Sequence, residues 1–329
     1  MLQESDDIYL LTEVASLYYE KNCTQEQIAR MIGISRSGVS RLLNRSRELG
    51  LVDIQVHHPL RTSALLRDEL IQRFGLQDAQ VLLNSSPDEQ VLPHVGSLAA
   101  QYLDRQIQQS QTQEGRAIRT VGIAWGQSLL EVLKTLRPRH RLPLNFVQLM
   151  GSVDAFSLPE IDGPEIIRRF ADAYGARCYR LYAPMLVNDA IICRGLLCEQ
   201  GVQRSFQMME RMDLALVGIG GLRLEASTLL QVGYVREDEL QEIRHRGAVG
   251  DICGYYVTLE GKLCATDRLN RMVTVPFDVL YKTPSVIAVA AGIEKTEAIL
   301  GVLRTKLLNV LITDETCARA VLQLESLTS

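Results

Sequence analysis

The sequence predicts an α/β protein of two parts: an N-terminal winged helix-turn-helix, and a larger doubly wound domain with a mostly parallel sheet. Residues 24–49 hold two short amphipathic helical patterns separated by a glycine, which is typical of a helix-turn-helix. From about residue 62, strand-like apolar runs alternate with helical patterns, as in a parallel sheet covered by helices. A chain of 329 residues is too long for the first module alone, so we expect domains at residues 1–58 and 59–329.

Small and capping residues define the helix-turn-helix. Ala29 allows the two helices to approach closely, and Gly33 can adopt the positive φ that the tight turn requires. Val39 returns to the same small core at helical spacing. Thr24, in a capping box, and Ser35 are the expected N-caps of the first and second helix.

Segments on either side complete this module. An amphipathic pattern through residues 9–18 predicts a third helix, and alternation over residues 50–56 predicts a short strand or hairpin, the wing. His57 and His58 follow directly. No cysteine or acid lies at ligand spacing from them, so exposed wing residues near a DNA backbone are preferred to a metal site.

The second helix turns a polar face away from the core. Arginine, serine and asparagine are side chains that reach phosphates and base edges in a major groove. The alternative is an ordinary solvated helix that happens to carry a few arginines. The helical spacing of the apolar residues, the glycine in the turn and the polar face together favour the DNA-binding helix. The net charge is −4 and the pI about 5.8, so DNA affinity must be local. The residues predicted to bind double-stranded operator DNA are Thr24, Gln25, Ser35, Arg36, Ser37, Ser40, Arg41, Asn44 and Arg45.

Bulk properties exclude several classes of protein. The first seven residues are acidic and polar, unlike a signal peptide, and no apolar run is long enough to span a bilayer. We therefore expect a cytoplasmic protein that does not contact membranes. The seven cysteines include no Cys-x-x-Cys pair, which favours buried, reduced thiols. Neither a metal nor a cofactor is expected.

The larger domain is predicted to contain six strands and eight helices. The strands cover residues 80–83, 120–124, 146–150, 214–219, 286–291 and 309–312. The helices cover residues 63–74, 91–109, 128–137, 164–174, 201–211, 236–246, 294–306 and 314–326. Ligands of such folds bind at the carboxyl ends of the strands, so the loops that follow strands are the candidate sites.

Three loops carry ligand-binding chemistry. Gly126, Gln127 and Ser128 begin a helix directly after a strand, where free N–H groups and the helix dipole favour an anion. Lys295 is placed in the first turn of another helix, where the dipole disfavours a cation unless an anion is bound. Asp251 follows two glycines and could accept hydrogen bonds from hydroxyls. Each loop also has a purely structural interpretation: a plain capped helix at Gly126–Ser128, a surface lysine at Lys295 and a turn aspartate at Asp251. If the three loops converge, the pocket that they form would suit a phosphorylated sugar or polyol.

Motifs along the whole chain resemble the SorC/DeoR-type sugar-binding transcriptional regulators. They lie at residues 34–43 (ISRSGVSRLL), 74–76 (FGL), 122–126 (GIAWG), 247–251 (GAVGD), 288–292 (AVAAG) and 311–318 (LITDETCA). The resemblance implies an effector domain related to sugar-phosphate isomerases and CoA transferases. It also implies oligomers, often tetramers, whose hold on an operator changes with a phosphorylated sugar.

The same resemblance implies roles for individual residues. Gly126, Gln127 and Ser128 would hold the phosphate, with Asp251 and Lys295 reaching the ligand from facing loops. Met150, Gly151 and Ser152 would end a strand where relatives present a ligand-contacting side chain. Some relatives have a basic residue at the position of Met150, so this chain is not expected to bind a bisphosphate or form a Schiff base there.

Three functions compete for the larger domain. We favour an effector-gated regulator that self-associates to a dimer or tetramer. An enzyme resembling a sugar-phosphate isomerase or deaminase would need a general base, but no histidine lies in the candidate loops and Asp251 alone is weak support for catalysis. No catalytic residue is therefore assigned. A domain that only assembles oligomers would not need glycine-rich loops at strand ends.

Overall fold

The computed structural model describes residues 2–52, 60–83, 90–112, 117–138, 140–153, 159–223 and 227–328. The chain divides into two compact units, Met1–Pro59 and Leu60–Ser329, one residue from the predicted boundary. Among the described residues, no helix has the length and apolar character needed to cross a membrane.

The first unit packs three helices around a small apolar core. The helices are α1 (Leu2–Tyr19), α2 (Gln25–Ile32) and α3 (Arg36–Glu48). The core side chains are those of Val14, Ile28, Ala29, Val39 and Leu43, all buried. Most of the predicted wing, together with His57 and His58, lies outside the described residues.

The helix ends of this unit form as the local sequence predicts. Thr24 and Gln27 make the reciprocal bonds of a capping box at α2. Gly33 ends α2 with φ 72°, a conformation that costs glycine little. The Ser35 hydroxyl accepts a hydrogen bond of 3.1 Å from the Gly38 N–H at the start of α3. These three predictions are confirmed.

A buried hydroxyl, which the sequence did not suggest, joins α3 to α1. The Ser46 side chain is fully buried, and its Oγ lies 3.1 Å from the Leu11 carbonyl and 2.9 Å from the Leu42 carbonyl. A buried hydroxyl must find an acceptor to avoid a desolvation penalty. The contact to Leu11 therefore fixes the position of α3 relative to α1.

The second unit is built on a seven-stranded sheet in which all paired neighbours are parallel. The strands of the chain are β1 (Asp78–Leu82), β2 (Thr120–Ile123), β3 (Asn145–Gln148), β4 (Arg177–Tyr179), β5 (Leu214–Gly218), β6 (Gly220–Gly221), β7 (Ala248–Ile252), β8 (Tyr255–Thr258), β9 (Ser285–Val289) and β10 (Val310–Asp314). The large sheet has the order β1-β10-β9-β5-β2-β3-β4, and β6, β7 and β8 form a small antiparallel sheet. From β2 the chain order rises through β3 and β4 on one side and through β5, β9 and β10 on the other, with β1 added at the outer edge beside β10. The sheet is therefore doubly wound, as predicted.

Eleven described helices belong to this unit. They are α4 (Ala64–Phe74), α5 (Val91–Gln111), α6 (Gln127–Thr135), α7 (Gly163–Tyr174), α8 (Ala190–Cys198), α9 (Gln200–Met209), α10 (Thr228–Gln231), α11 (Glu237–His245), α12 (Phe277–Lys282), α13 (Thr296–Arg304) and α14 (Glu315–Thr328). All six predicted strands and all eight predicted helices are found, with ends shifted by a few residues.

Two local predictions near the candidate site are wrong. The helix predicted from residue 294 is split into a 3-10 turn, Ile293–Lys295, and α13. Asp251, expected in one of the three candidate loops, lies inside strand β7, which also excludes the alternative of a turn aspartate. Both errors arise because the pairing partners that shape these segments are distant in sequence.

Candidate functional site

A cleft opens where β9, β5, β2 and β3 end at their carboxyl edge. These four strands are neighbours in the sheet, and the order of the doubly wound sheet reverses between β5 and β2, where ligands of such folds bind. The cleft has about 540 Å³ of empty space, open solvent at its mouth included. Its lining residues are Ala124, Trp125, Gly126, Gln127, Ser128, Leu129, Met150, Gly218, Ile219, Gly220, Thr228, Leu229, Asp251, Cys253 and Lys295. The three candidate loops thus meet at one place.

The first wall of the cleft is the N-terminus of α6. Gly126 precedes this helix with φ 121° and ψ 174°, a backbone conformation that side-chain-bearing residues rarely adopt. The first helical hydrogen bond runs from the Leu130 N–H to the Gly126 carbonyl over 3.0 Å. The preceding N–H groups therefore remain for another acceptor, next to the Ser128 side chain, which is only 4% exposed.

The second wall carries the Asp251 carboxylate, which antiparallel pairing of β6 with β7 sets opposite Gly220. A Cβ on Gly220 would lie 1.9 Å from Asp251 Oδ1, so only glycine leaves room for the carboxylate. The Gly254 N–H donates to Asp251 Oδ2 over 3.2 Å. Burial raises the pKa of Asp251 to about 6, opposed by the Gly254 N–H and by the charge of Lys295. At neutral pH this carboxylate can accept hydrogen bonds from ligand hydroxyls.

The third wall carries Lys295, at the end of the 3-10 turn and at the N-cap of α13. Burial lowers the pKa of Lys295, and the nearby carboxylates of Glu294 and Asp251 act in the opposite direction. Within the described part of the chain, no carboxylate forms a salt bridge with the ammonium group. A cation held in a cleft without an ion-pair partner favours the binding of an anion.

Of the three residues placed here by family resemblance alone, only Met150 lines the cleft. Gly151 and Ser152 do not. Their backbone is bonded to segments outside the strands: the Gly151 N–H donates to the Val273 carbonyl over 2.8 Å, and the Ser152 N–H donates to the Ala183 carbonyl over 2.9 Å. A Cβ on Gly151 would lie 2.6 Å from a backbone nitrogen. The backbone hydrogen bonds of these two residues fix the chain segment that directly follows Met150.

The sequence analysis missed several cleft residues, of which Trp125, Thr228 and Cys253 carry polar or polarisable groups. Trp125 is the only tryptophan of the chain and is 8% exposed; its Nε1 has no hydrogen-bond partner among the described residues. Because Trp125 lies between the end of a predicted strand and Gly126, the sequence could have predicted that it lines the cleft. Thr228, at the start of α10, and Cys253, after β7, reach the cleft through the tertiary fold, which local patterns do not reveal.

The polar face of α3 is available at the surface. Arg36, Ser37, Arg41, Asn44 and Arg45 are exposed, and Ser40 is half-buried. Two of the residues predicted to contact DNA cap helices instead: the hydroxyls of Thr24 and Ser35 accept hydrogen bonds from backbone N–H groups at the starts of α2 and α3. Gln25 begins α2 and is half-buried. The exposed residues of α3 are therefore the strongest candidates for contacting DNA.

Comparison with known proteins connects both units to one family. A family model described as "Putative sugar-binding domain" matches residues 58–323, and the model of the MarR family matches residues 14–59. The chain belongs to the sugar-binding transcriptional regulators. It is accordingly a DNA-binding regulator with a helix-turn-helix and a sugar-binding domain.

Individual regulators can be aligned with this chain over nearly its full length. The deoxyribonucleoside regulator of Bacillus subtilis is 30% identical over 313 residues, covering 95% of this chain and 96% of that protein. The sorbitol operon regulator of Klebsiella pneumoniae is 29% identical over 335 residues, covering 98% and 100%. The crystal structure of full-length SorC from the same organism superimposes with a TM-score of 0.71 at 27% identity, covering 96% and 99%. Each of these matches is named as a regulator, and the prediction of a regulator rather than an enzyme is confirmed.

Proposed function

We propose that this regulator binds its operator through α3 and changes its operator affinity when a phosphorylated sugar or polyol occupies the cleft. One observation carries the proposal: the same cleft is lined by a helix N-terminus, by a lysine that forms no salt bridge with any described residue and by a buried carboxylate. The first two suit a phosphate, and the third suits hydroxyls. A free sugar would bring no negative charge to the helix N-terminus or to the lysine.

The chemistry of recognition divides between the walls. The phosphate would accept hydrogen bonds from the N–H groups of Gln127 and its neighbours and from the Ser128 hydroxyl. Lys295 would supply the countercharge, and Asp251 would accept hydrogen bonds from the sugar hydroxyls. Met150 lines the cleft with a neutral thioether, which favours an effector with one phosphate over a bisphosphate.

On the DNA side, the proposal assigns contacts with the double helix to the exposed residues of α3. Arg36, Arg41 and Arg45 offer cationic donors to phosphates and guanine edges, and Ser37 and Asn44 offer neutral donors and acceptors. The rest of the chain is acidic on balance, so binding should depend on this one surface. We expect the salt dependence of binding to reflect these few arginines.

Effector control requires two arrangements of the protein with different affinities for the operator. We propose that these are arrangements of a dimer or tetramer acting in the cytoplasm. Sedimentation analysis of the purified protein, with and without effector, measures the assembly. A monomer at all concentrations that support operator binding would contradict this part of the proposal.

The experiment that tests the effector class compares sugars and polyols with their phosphate esters. Binding is followed by the fluorescence of Trp125, the sole tryptophan in the chain and a cleft residue, and by the melting temperature. Two variants remove proposed phosphate contacts, Ser128→Ala and Lys295→Ala. Lys282→Ala is the matched control, because Lys282 pairs with Asp278 at the surface away from the cleft lining.

We expect one phosphate ester to bind the wild type and the Lys282→Ala variant equally. Its affinity should fall at least about tenfold in each cleft variant, since each loses a hydrogen bond to a charged group. Equal binding of the free sugar and its ester would overturn the phosphate assignment. A ligand that binds all variants equally would show that the effector occupies another place.

A further inference from the structure

A buried carboxylate outside the cleft holds the segment that carries Lys295. Asp314 ends β10 and is 1% exposed. Its two oxygens accept hydrogen bonds from two different elements. Oδ1 accepts from the Gly292 N–H over 2.8 Å, and Oδ2 accepts from the Cys317 N–H over 3.0 Å.

The contact with Gly292 extends the pairing of β9 with β10 beyond the strands. The last backbone bond of this ladder runs from the Ala290 N–H to the Ile312 carbonyl over 3.1 Å. Two residues further along, the side chain of Asp314 replaces a backbone carbonyl as the acceptor for Gly292. The Gly292 carbonyl in turn accepts from the Lys295 N–H over 3.1 Å, closing the 3-10 turn. A continuous set of hydrogen bonds therefore leads from Asp314 to Lys295.

Capping of α14 accounts for only one of the two contacts. The Cys317 N–H lies in the first turn of α14, and a serine or asparagine could cap it as well as an aspartate. In the structure these two N–H donors, on separate elements, are bonded to two different oxygens, Oδ1 and Oδ2. Serine and asparagine each offer only one acceptor oxygen, which would have to lie within reach of both N–H groups at once. The second oxygen of Asp314 is thus explained by the turn at Gly292.

We propose that Asp314 is a positioning residue of the effector site, which fixes the turn at Gly292 and thereby holds Lys295 at the cleft. This inference rests on the proposed function, in which Lys295 binds the effector phosphate. Loss of the carboxylate would leave the fold and the α14 cap in place but allow the turn to move. The effector would then meet a lysine that is no longer fixed.

The test measures affinity for inorganic phosphate, followed by Trp125 fluorescence, in the full-length protein. The variants are Asp314→Asn, Lys295→Ala and the double variant. Ser63→Ala is the control for a lost helix cap, because the Ser63 hydroxyl caps α4 with a 3.3 Å bond from the Leu66 N–H. Asp314→Asn removes a negative charge, which by itself would strengthen phosphate binding. A loss of affinity therefore reports positioning.

We expect Asp314→Asn to weaken phosphate binding about tenfold, the equivalent of one charge-assisted hydrogen bond. In the Lys295→Ala background the same substitution should have no further effect, because the two residues act through one contact. Ser63→Ala should bind phosphate like the wild type. Equal losses in both backgrounds, or no loss in either, would overturn the inference. No loss in Lys295→Ala would overturn the proposed function at this residue, and the inference with it.

Hydrogen exchange of the wild-type protein tests the contact without any variant. The Gly292 amide is expected to exchange at least about a hundredfold more slowly than an unprotected amide, because its N–H is bonded to a buried acceptor. Exchange at the unprotected rate would show that the bond to Asp314 does not persist in solution. In Asp314→Asn, or in Asp314→Ser if the asparagine variant does not fold, this protection should be lost while β9 keeps its own.

Discussion

Replacement of Asp251 by asparagine should stabilise the unliganded protein and weaken its effector binding. The carboxylate is 9% exposed, and its backbone partner among the described residues is the Gly254 N–H. Asparagine has nearly the same shape, and its carbonyl oxygen can accept the same hydrogen bond. What it removes is the charge, which the effector hydroxyls need and the unliganded cleft does not.

The magnitude follows from the pKa of Asp251. Burial raises this pKa from 3.8 to about 6. Below the lower pKa, Asp251 is protonated in both the folded and the unfolded chain, and its burial costs no charge desolvation. The free energy of unfolding is then at its full value with respect to this residue. Between the two values only the unfolded chain loses its proton, so the free energy of unfolding falls as the pH rises. Each tenfold change in acidity is worth about 1.4 kcal/mol, so about 3 kcal/mol is lost once the pH exceeds the folded-state value.

The assay is urea unfolding followed by Trp125 fluorescence at a fixed protein concentration, from about pH 5 to about pH 8. Asp251→Asn should exceed the wild type by up to about 3 kcal/mol at the upper end, and the difference should shrink towards the lower end. Glu210→Gln is the control, because this exposed residue at the end of α9 should change stability by less than about 0.5 kcal/mol. A variant no more stable than the wild type at about pH 8, or a difference independent of pH, would refute the reasoning.

Three further substitutions test other parts of the account. Arg41→Ala should weaken operator binding about tenfold or more, measured by fluorescence polarisation, whereas Arg319→Ala, an exposed arginine on α14, should not; equal losses would reject α3 as the DNA-binding surface. Ser46→Ala should destabilise the N-terminal unit by about 1 kcal/mol in melts followed by circular dichroism, and an unchanged melt would contradict the contact with α1. Gly126→Ala should cost about 1–3 kcal/mol because of its φ of 121°. The control Gly195→Ala, inside α8 and also with no atom within 4 Å of the new Cβ, should stabilise by about 0.5–1 kcal/mol. Equal melting temperatures of the two variants would contradict the backbone argument.

The parts of the fold that follow from local sequence were predictable. The capping box at Thr24, the left-handed Gly33 and the Ser35 cap each depend on residues within four positions of one another. The strands of the large sheet are short apolar runs buried between helical segments, and their alternation with helices predicts parallel pairing. The carboxyl ends of parallel strands share one edge, so the sequence alone predicts that Ser128 and Lys295 belong to one site.

What escaped prediction depends on partners far apart in sequence. Asp251 faces Gly220 through the pairing of β6 with β7, and nothing in the residues around either position indicates this contact. Asp314 accepts a hydrogen bond from the Gly292 N–H across 22 positions, so no pattern within the closing motif indicates this contact. Gly151 and Ser152 were assigned from family resemblance alone, and the backbone pairing of this segment keeps both out of the cleft lining.

The most direct test of the central claim measures the affinity of the regulator for an operator fragment, selected from a random DNA library, with and without the phosphate ester that binds the cleft. The account predicts that the ester changes operator affinity of the wild type at least about tenfold, within the usual range of allosteric coupling. The free sugar should have no such effect, and Lys295→Ala should bind the operator normally but ignore the ester. An equal response to the free sugar, or a full response in Lys295→Ala, would contradict the claim that phosphate binding in this cleft controls DNA binding.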